Sequence, residues 1–119
     1  MEYTIWQQIF LALKNQGIDV YAPGMYVGEC TSPYVVLKSS GLTDTNTVSS
    51  TLATYDIMCY VPKNRYDYLE EYKAKVKNAL DTLFPMLRDE HTETSDFYDD
   101  GKKAHMVSMT YGNYRKKAR

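Results

Sequence analysis

An α+β fold, an antiparallel β-sheet with two amphipathic helices packed on one face, is what this sequence predicts, and three observations predict it. Large apolar residues recur at helical spacing in two stretches, one near the N-terminus and one in the middle of the chain. Clean apolar alternation marks Thr51 to Val61, and turn signals set off further strand-like runs. The resulting order is helix, strands, helix, strands, and a helix with a single apolar stripe buries it best against a sheet.

The first helix lies between Tyr3 and Gln16, where Trp6, Ile9, Phe10 and Leu13 share one face. Gly17 stands where a left-handed C-terminal cap is wanted. Ile18 to Tyr21 predicts a short strand before the Ala22 to Gly24 turn, and Ser32 to Lys38 a better one, with Pro33 tolerable at its start. Residues Ser39 to Ser50 are small and polar with no periodic apolar position, so they read as a long mobile loop. In the strongest strand, Ala53, Tyr55, Ile57, Cys59 and Val61 fall on one face, which is taken as the core face. Leu52, Thr54, Asp56, Met58 and Tyr60 fall on the other.

Pro62 ends that strand, Asn64 is a candidate N-cap, and Asp67, Glu70 and Glu71 place negative charge at the positive end of a helix dipole. Leu69, Tyr72, Val76, Leu80 and Leu83 form the apolar stripe of this second helix, which Pro85 stops. Arg88 to Glu93 alternates weakly. A hairpin follows, with Asp99-Asp100-Gly101 as its turn and Ala104 to Tyr111 as its return strand. Residues 112–119 form a basic C-terminal tail. With both helices on one face, the other face of the sheet is left open, carrying Met58, Tyr60, Met106 and Leu52.

A chain of 119 residues fits one domain, 1–119, and its 44% apolar content is enough for one core. A net charge of -1 gives no global field toward nucleic acid or an anionic membrane. Neither a secretion signal nor an apolar run long enough for a bilayer is visible, so no membrane partner is expected. Cys30 and Cys59 are too few and too far apart for a disulfide scaffold or a zinc cage, and read as buried free thiols.

The chemistry-bearing residues are sparse. His91 and His105 flank a predicted turn and would need Asp89 or Glu93 to complete a metal site, yet no HxH or HxxxH spacing supports one. Asp96, Asp99 and Asp100 lack the spacing of a calcium loop, and Gly24 and Gly28 do not make a phosphate loop. No catalytic residue, cofactor or metal is expected, so the chain reads as an assembly protein rather than an enzyme. The 12 tyrosines favour interfaces, because a phenol ring buries area while keeping a polar tip.

The order of elements, with the strings PYVVL (33–37), YDIMCYVP (55–62), LEEYKAKVKNAL (69–80) and HMVSMTY (105–111), resembles the tail terminator or tail-to-head joining proteins of long-tailed bacteriophages. That resemblance implies a small sheet flanked by helices in a homo-oligomeric ring, a hexamer, at the end of the tail tube. The ring would stop tail polymerisation and join the tail to the head connector. It also implies three partners: further copies of the chain, the tail tube protein and a head connector protein. DNA would pass transiently through the lumen. The place would be the virion at the head-tail junction, after synthesis in the bacterial host cytoplasm. Interface candidates on this reading are Leu42, Thr45 and Val48 in the loop with Met58, Tyr60 and Met106 on the sheet, and the lumen candidates are Arg115, Lys116, Lys117 and Arg119. Two alternatives stand beside it: another connector such as a head-closure protein, and a small metal-dependent hydrolase centred on His91 and His105.

Overall fold

The structure, a computed structural model, describes residues 3–44 and 50–116, the side chains of 42–44, 50, 51, 115 and 116 excepted. The fold is α+β, a mixed six-stranded sheet with two helices. Helix α1 (Ile5–Asn15) opens on a capping box: Thr4 Oγ1 accepts from Gln7 N at 3.1 Å, and Thr4 N donates to Gln7 Oε1 at 2.8 Å. It ends where foreseen, with Gly17 at φ +75.

Strand β1 (Val20–Tyr21) pairs parallel with β2 (Tyr34–Asp44). β2 pairs antiparallel with β3 (Ser50–Pro62), and β3 with β6 (Ala104–Lys116). β4 (Arg88–Glu93) and β5 (Phe97–Asp99) both lie along the far side of β6. The antiparallel expectation therefore holds for every pair except β1 with β2. The parallel pair arises because α1 and the turn after it return the chain to the edge of the sheet running the same way as β2.

Two sequence boundaries shift. The loop expected at Ser39 to Ser50 is mostly strand, since β2 runs to Asp44 and β3 starts at Ser50, which leaves only 45–49 outside the described residues. Small polar residues lack apolar periodicity but satisfy their backbone groups in a ladder as well as any others. A bulge between Ser39 and Gly41, with Gly41 at φ +129, absorbs the irregularity. Likewise β6 continues past Tyr111 to Lys116, opposite Ser50 to Ala53 of β3, so 112–116 are strand rather than tail.

The core lies between the helices and the face of the sheet bearing Val35, Leu37, Ala53, Tyr55, Ile57, Cys59, Val61, Val107, Met109 and Tyr111. The face assigned to β3 from alternation is thus the buried one. Ile9 and Leu13 of α1 meet it, as do Leu69, Tyr72, Val76, Ala79 and Leu80 of α2 (Leu69–Asp81). Each such Val, Leu or Ile contributes about 1.5–3 kcal/mol through burial. Asn64 does not cap α2; a 3-10 turn, Lys63–Tyr68, leads into it instead. Trp6 Nε1 donates to Leu37 O at 3.0 Å and ties α1 to the unpaired side of β2.

Candidate interaction surface

Because α1 and α2 both take one face, the opposite face is built from the alternate residues of the same strands. Its apolar end holds Tyr34, Val36, Met58, Tyr60, Ala104 and Met106, and registers bring Tyr34 opposite Tyr60 and Tyr60 opposite Met106. Its other end is polar, with Lys38 opposite Asp56 and Asp56 opposite Thr110.

No helix covers this face, yet the apolar end is not bare. The segment between β1 and β2 folds across it, turning at Gly24 (φ +79) and Gly28 (φ +99), conformations that disfavour a side chain. Tyr26 stacks on Tyr34 with ring centroids 4.1 Å apart, Tyr34 stacks on Tyr60 at 4.8 Å, and Tyr21 meets both Tyr26 and Tyr34 edge-on. Lys102 Nζ sits 5.8 Å from the Tyr26 ring centroid and 5.7 Å from that of Tyr60, a cation shared by two π-faces. The segment is pinned by Tyr26 Oη donating to Glu29 O at 2.7 Å and by Cys30 N donating to Lys102 O at 2.7 Å.

This corrects the open-face expectation. Tyr60, an interface candidate, is only 6% exposed, because ring stacking removes it from solvent. Met58 and Met106 are half-buried and pack against the same cluster. The exposed apolar groups are ones that alternation did not single out. With Tyr26 turned inward, its neighbours Met25 and Val27 face solvent at 70% and 88% exposure. Phe97, opposite Met106 in the β5–β6 ladder, is also exposed. An irregular segment has no period to read, and so Met25 and Val27 left no signal in the sequence beyond being large and apolar beside Gly24 and Gly28.

The remaining interface candidates divide. Leu42 lies in β2 opposite Ala53, while Thr45 and Val48 lie outside the described residues. Of the lumen candidates, Arg115 and Lys116 continue β6 opposite Thr51 and Ser50, and Lys117 and Arg119 lie outside the described residues. Next to that strand end Arg88 sits between two exposed rings, 5.8 Å from the centroids of both Phe84 and Tyr114.

The two histidines are not brought together. His91 is exposed at the β4 bulge beside the Tyr111 end of the β4–β6 ladder, and His105 lies six positions back along β6, roughly 20 Å at strand rise. His105 packs between Tyr66 and Tyr98, with Nε2 3.2 Å from Lys63 O. Of the two carboxylates a metal site needed, Asp89 stays beside His91, accepting from its backbone N at 2.8 Å with its other oxygen 3.8 Å from Nδ1, while Glu93 faces α2. Glu93 bonds Lys73 Nζ at 2.8 Å and Lys77 Nζ at 2.7 Å, and Lys77 also reaches Asp89 at 3.9 Å. The hydrogen bonds from Lys73 and then Lys77 hold the Glu93 carboxyl below its ordinary pKa. Among the described residues no group of three His, Cys, Asp or Glu is placed to hold a metal ion.

Both thiols are free and buried. Burial pushes Cys59, in the main core, up to about 12, and Cys30, beneath the tyrosines, up to about 11. Thiols so displaced are poor nucleophiles at neutral pH. Among the described residues no helix is long and apolar enough to cross a membrane.

No family model matches the sequence, and no curated protein matches it. A solved structure whose description states no activity aligns over 98% of this chain and 99% of its own length, at 12% identity and a TM-score of 0.49.

Proposed function

We propose that this chain is a structural subunit that assembles into a ring, in the manner of the phage tail terminators its sequence resembles. On that reading the ring caps the tail tube, stops its growth and joins it to a head connector. The observation that carries the assembly part is the second sheet face. A tyrosine-stacked platform ends in solvent at Met25, Val27 and Phe97, and large exposed apolar side chains grouped on a face without helices are the usual mark of a protein partner.

The shape is consistent with this role. Extents of 50 × 30 × 24 Å describe an elongated subunit. The paired ladders of β2, β3 and β6 continue to Asp44, Ser50 and Lys116. An extended three-stranded arm suits a protein that touches one partner at each end of its long axis.

Light scattering of the purified chain, followed by mixing with the tail tube protein, tests this reading. The expected result is a discrete ring-sized mass and a stable complex with the tube. A chain that stays monomeric at high concentration and leaves the tube protein unbound would overturn it. Rings that bind only a portal-side protein would move the assignment to a head-closure protein.

A further inference from the structure

We propose that residues 22–30, between β1 and β2, form a strap that opens by itself, lifting Tyr26 and Cys30 off the second sheet face while the helix-covered core stays folded. The opening is a property of a single copy of the chain, and it goes beyond the ring-forming reading without depending on it.

The two faces of the sheet are closed by very different amounts of material. Two buried residues of α1 and five of α2 seal the main core, each carried on a helix that satisfies its own backbone. From 22 to 29 no residue is buried, and of these only Tyr26 packs against the second cluster. Cys30, 5% exposed, is the one buried side chain that the segment adds.

The hydrogen bonds divide in the same way. Among the described residues, those made by residues 22–29 stay inside the segment: Met25 N donates to Ala22 O at 3.1 Å, and Tyr26 Oη to Glu29 O at 2.7 Å. Neither ties the segment to the sheet. What holds it closed is one backbone bond at its far end, Cys30 N to Lys102 O, together with the rings. Tyr26 stacks on Tyr34, meets Tyr21 edge-on and shares Lys102 with Tyr60.

The backbone is built to turn at this place. Gly24 and Gly28 flank the three residues that carry Tyr26, both have positive φ, and no atom lies within 4 Å of where a Cβ would stand on either. A few such residues at the ends of a segment are enough to absorb the dihedral change of a hinge. A segment held by few buried apolar contacts and few backbone bonds opens at a lower free energy than the globule it covers.

Opening changes what the second face offers. Tyr34, Val36 and Tyr60, now 1%, 8% and 6% exposed, become bare and join the half-buried Met58 and Met106. The result is a continuous apolar face, larger than the Met25 and Val27 side chains that the closed strap presents. On the assembly reading, a partner covering this face would select the open form.

The two free thiols, one under the strap and one in the main core, report the two layers separately. Maleimide labelling of the folded wild type at low protein concentration, read at each cysteine by peptide mapping, tests the proposal. Cys30 is expected to label at least tenfold faster than Cys59, at a rate nearly flat in low urea, while Cys59 labelling rises steeply with urea because it needs global unfolding. Val76→Ala, in the main cluster and not the second, is expected to speed Cys59 about tenfold or more and to leave Cys30 unchanged. Equal rates at the two thiols, or a Cys30 rate that climbs with that of Cys59 in urea and in Val76→Ala, would overturn the proposal. If Val76→Ala does not fold, the urea comparison in the wild type decides alone. Assembly enters neither readout, so a chain that never forms rings would remove the ring reading and leave the strap standing.

Discussion

Cys59 shows how much a single position on the main core face is constrained. It is fully buried between Val35 and Val107 in the ladder, and its thiol is displaced upward by desolvation alone in the main. A serine there would bury a hydroxyl among apolar neighbours, so Cys59→Ser should destabilise by about 1–3 kcal/mol in urea unfolding. The wild-type thiol should react with a maleimide only as fast as the protein unfolds. Gly17 is constrained differently. Space is open around its Cα, and only its φ of +75 resists a side chain. Gly17→Ala should cost about 1 kcal/mol by thermal melting, and Gly17→Asn less, since Asn tolerates the left-handed region.

Among the elements, α2 is held to the sheet in two ways. Its inner stripe packs on β3, and Lys73 and Lys77 on its flank clamp Glu93 of β4. The clamp should be visible in pH dependence. Since folding lowers the Glu93 pKa, its stabilisation is present above the ordinary carboxylate value of 4.5 and fades as pH falls through the lower folded value. Glu93→Gln should flatten the loss of urea midpoint between about pH 5 and pH 3 while costing about 0.5–1 kcal/mol at pH 7, the range of a largely solvated pair. Burial stripes such as Trp6 to Leu13 and Ala53 to Val61 were legible in the sequence because a periodic pattern reports which face is dry. Strand ends were not, since Ser39 to Asp44 and Gly112 to Lys116 form ladders through backbone groups that every residue carries. The same reason hid the tyrosine platform. Tyr21, Tyr26, Tyr34 and Tyr60 converge only after the segment between β1 and β2 has folded back, and no local spacing encodes that return. Lys73 and Lys77, four apart on one helix flank, were legible as charged but read as solvated, because their partner lies on a strand some twenty residues away.

For the molecule as a whole, the two faces of one sheet have different duties. One is sealed by helices and carries stability; the other is roofed at one end by a thin aromatic layer whose outer side chains are exposed. Val27→Asp should therefore leave the unfolding midpoint within about 0.5 kcal/mol of wild type while weakening self-association in light scattering. Val35→Asp, on the sealed face, should instead abolish folding. The pairing of β3 with β6 also bears on how the protein is made. Ile57 meets Met109 across about 50 residues of chain, so at the usual pace of synthesis roughly 3–10 s pass between making the two. During that interval β3 has β2 on one side and nothing of its own on the other, and a bare edge rich in Val, Ile and Tyr attracts foreign strands. The time-sensitive step in producing this protein is then the arrival of β6, and slower translation through α2 should raise the aggregated fraction even though the finished fold is unchanged.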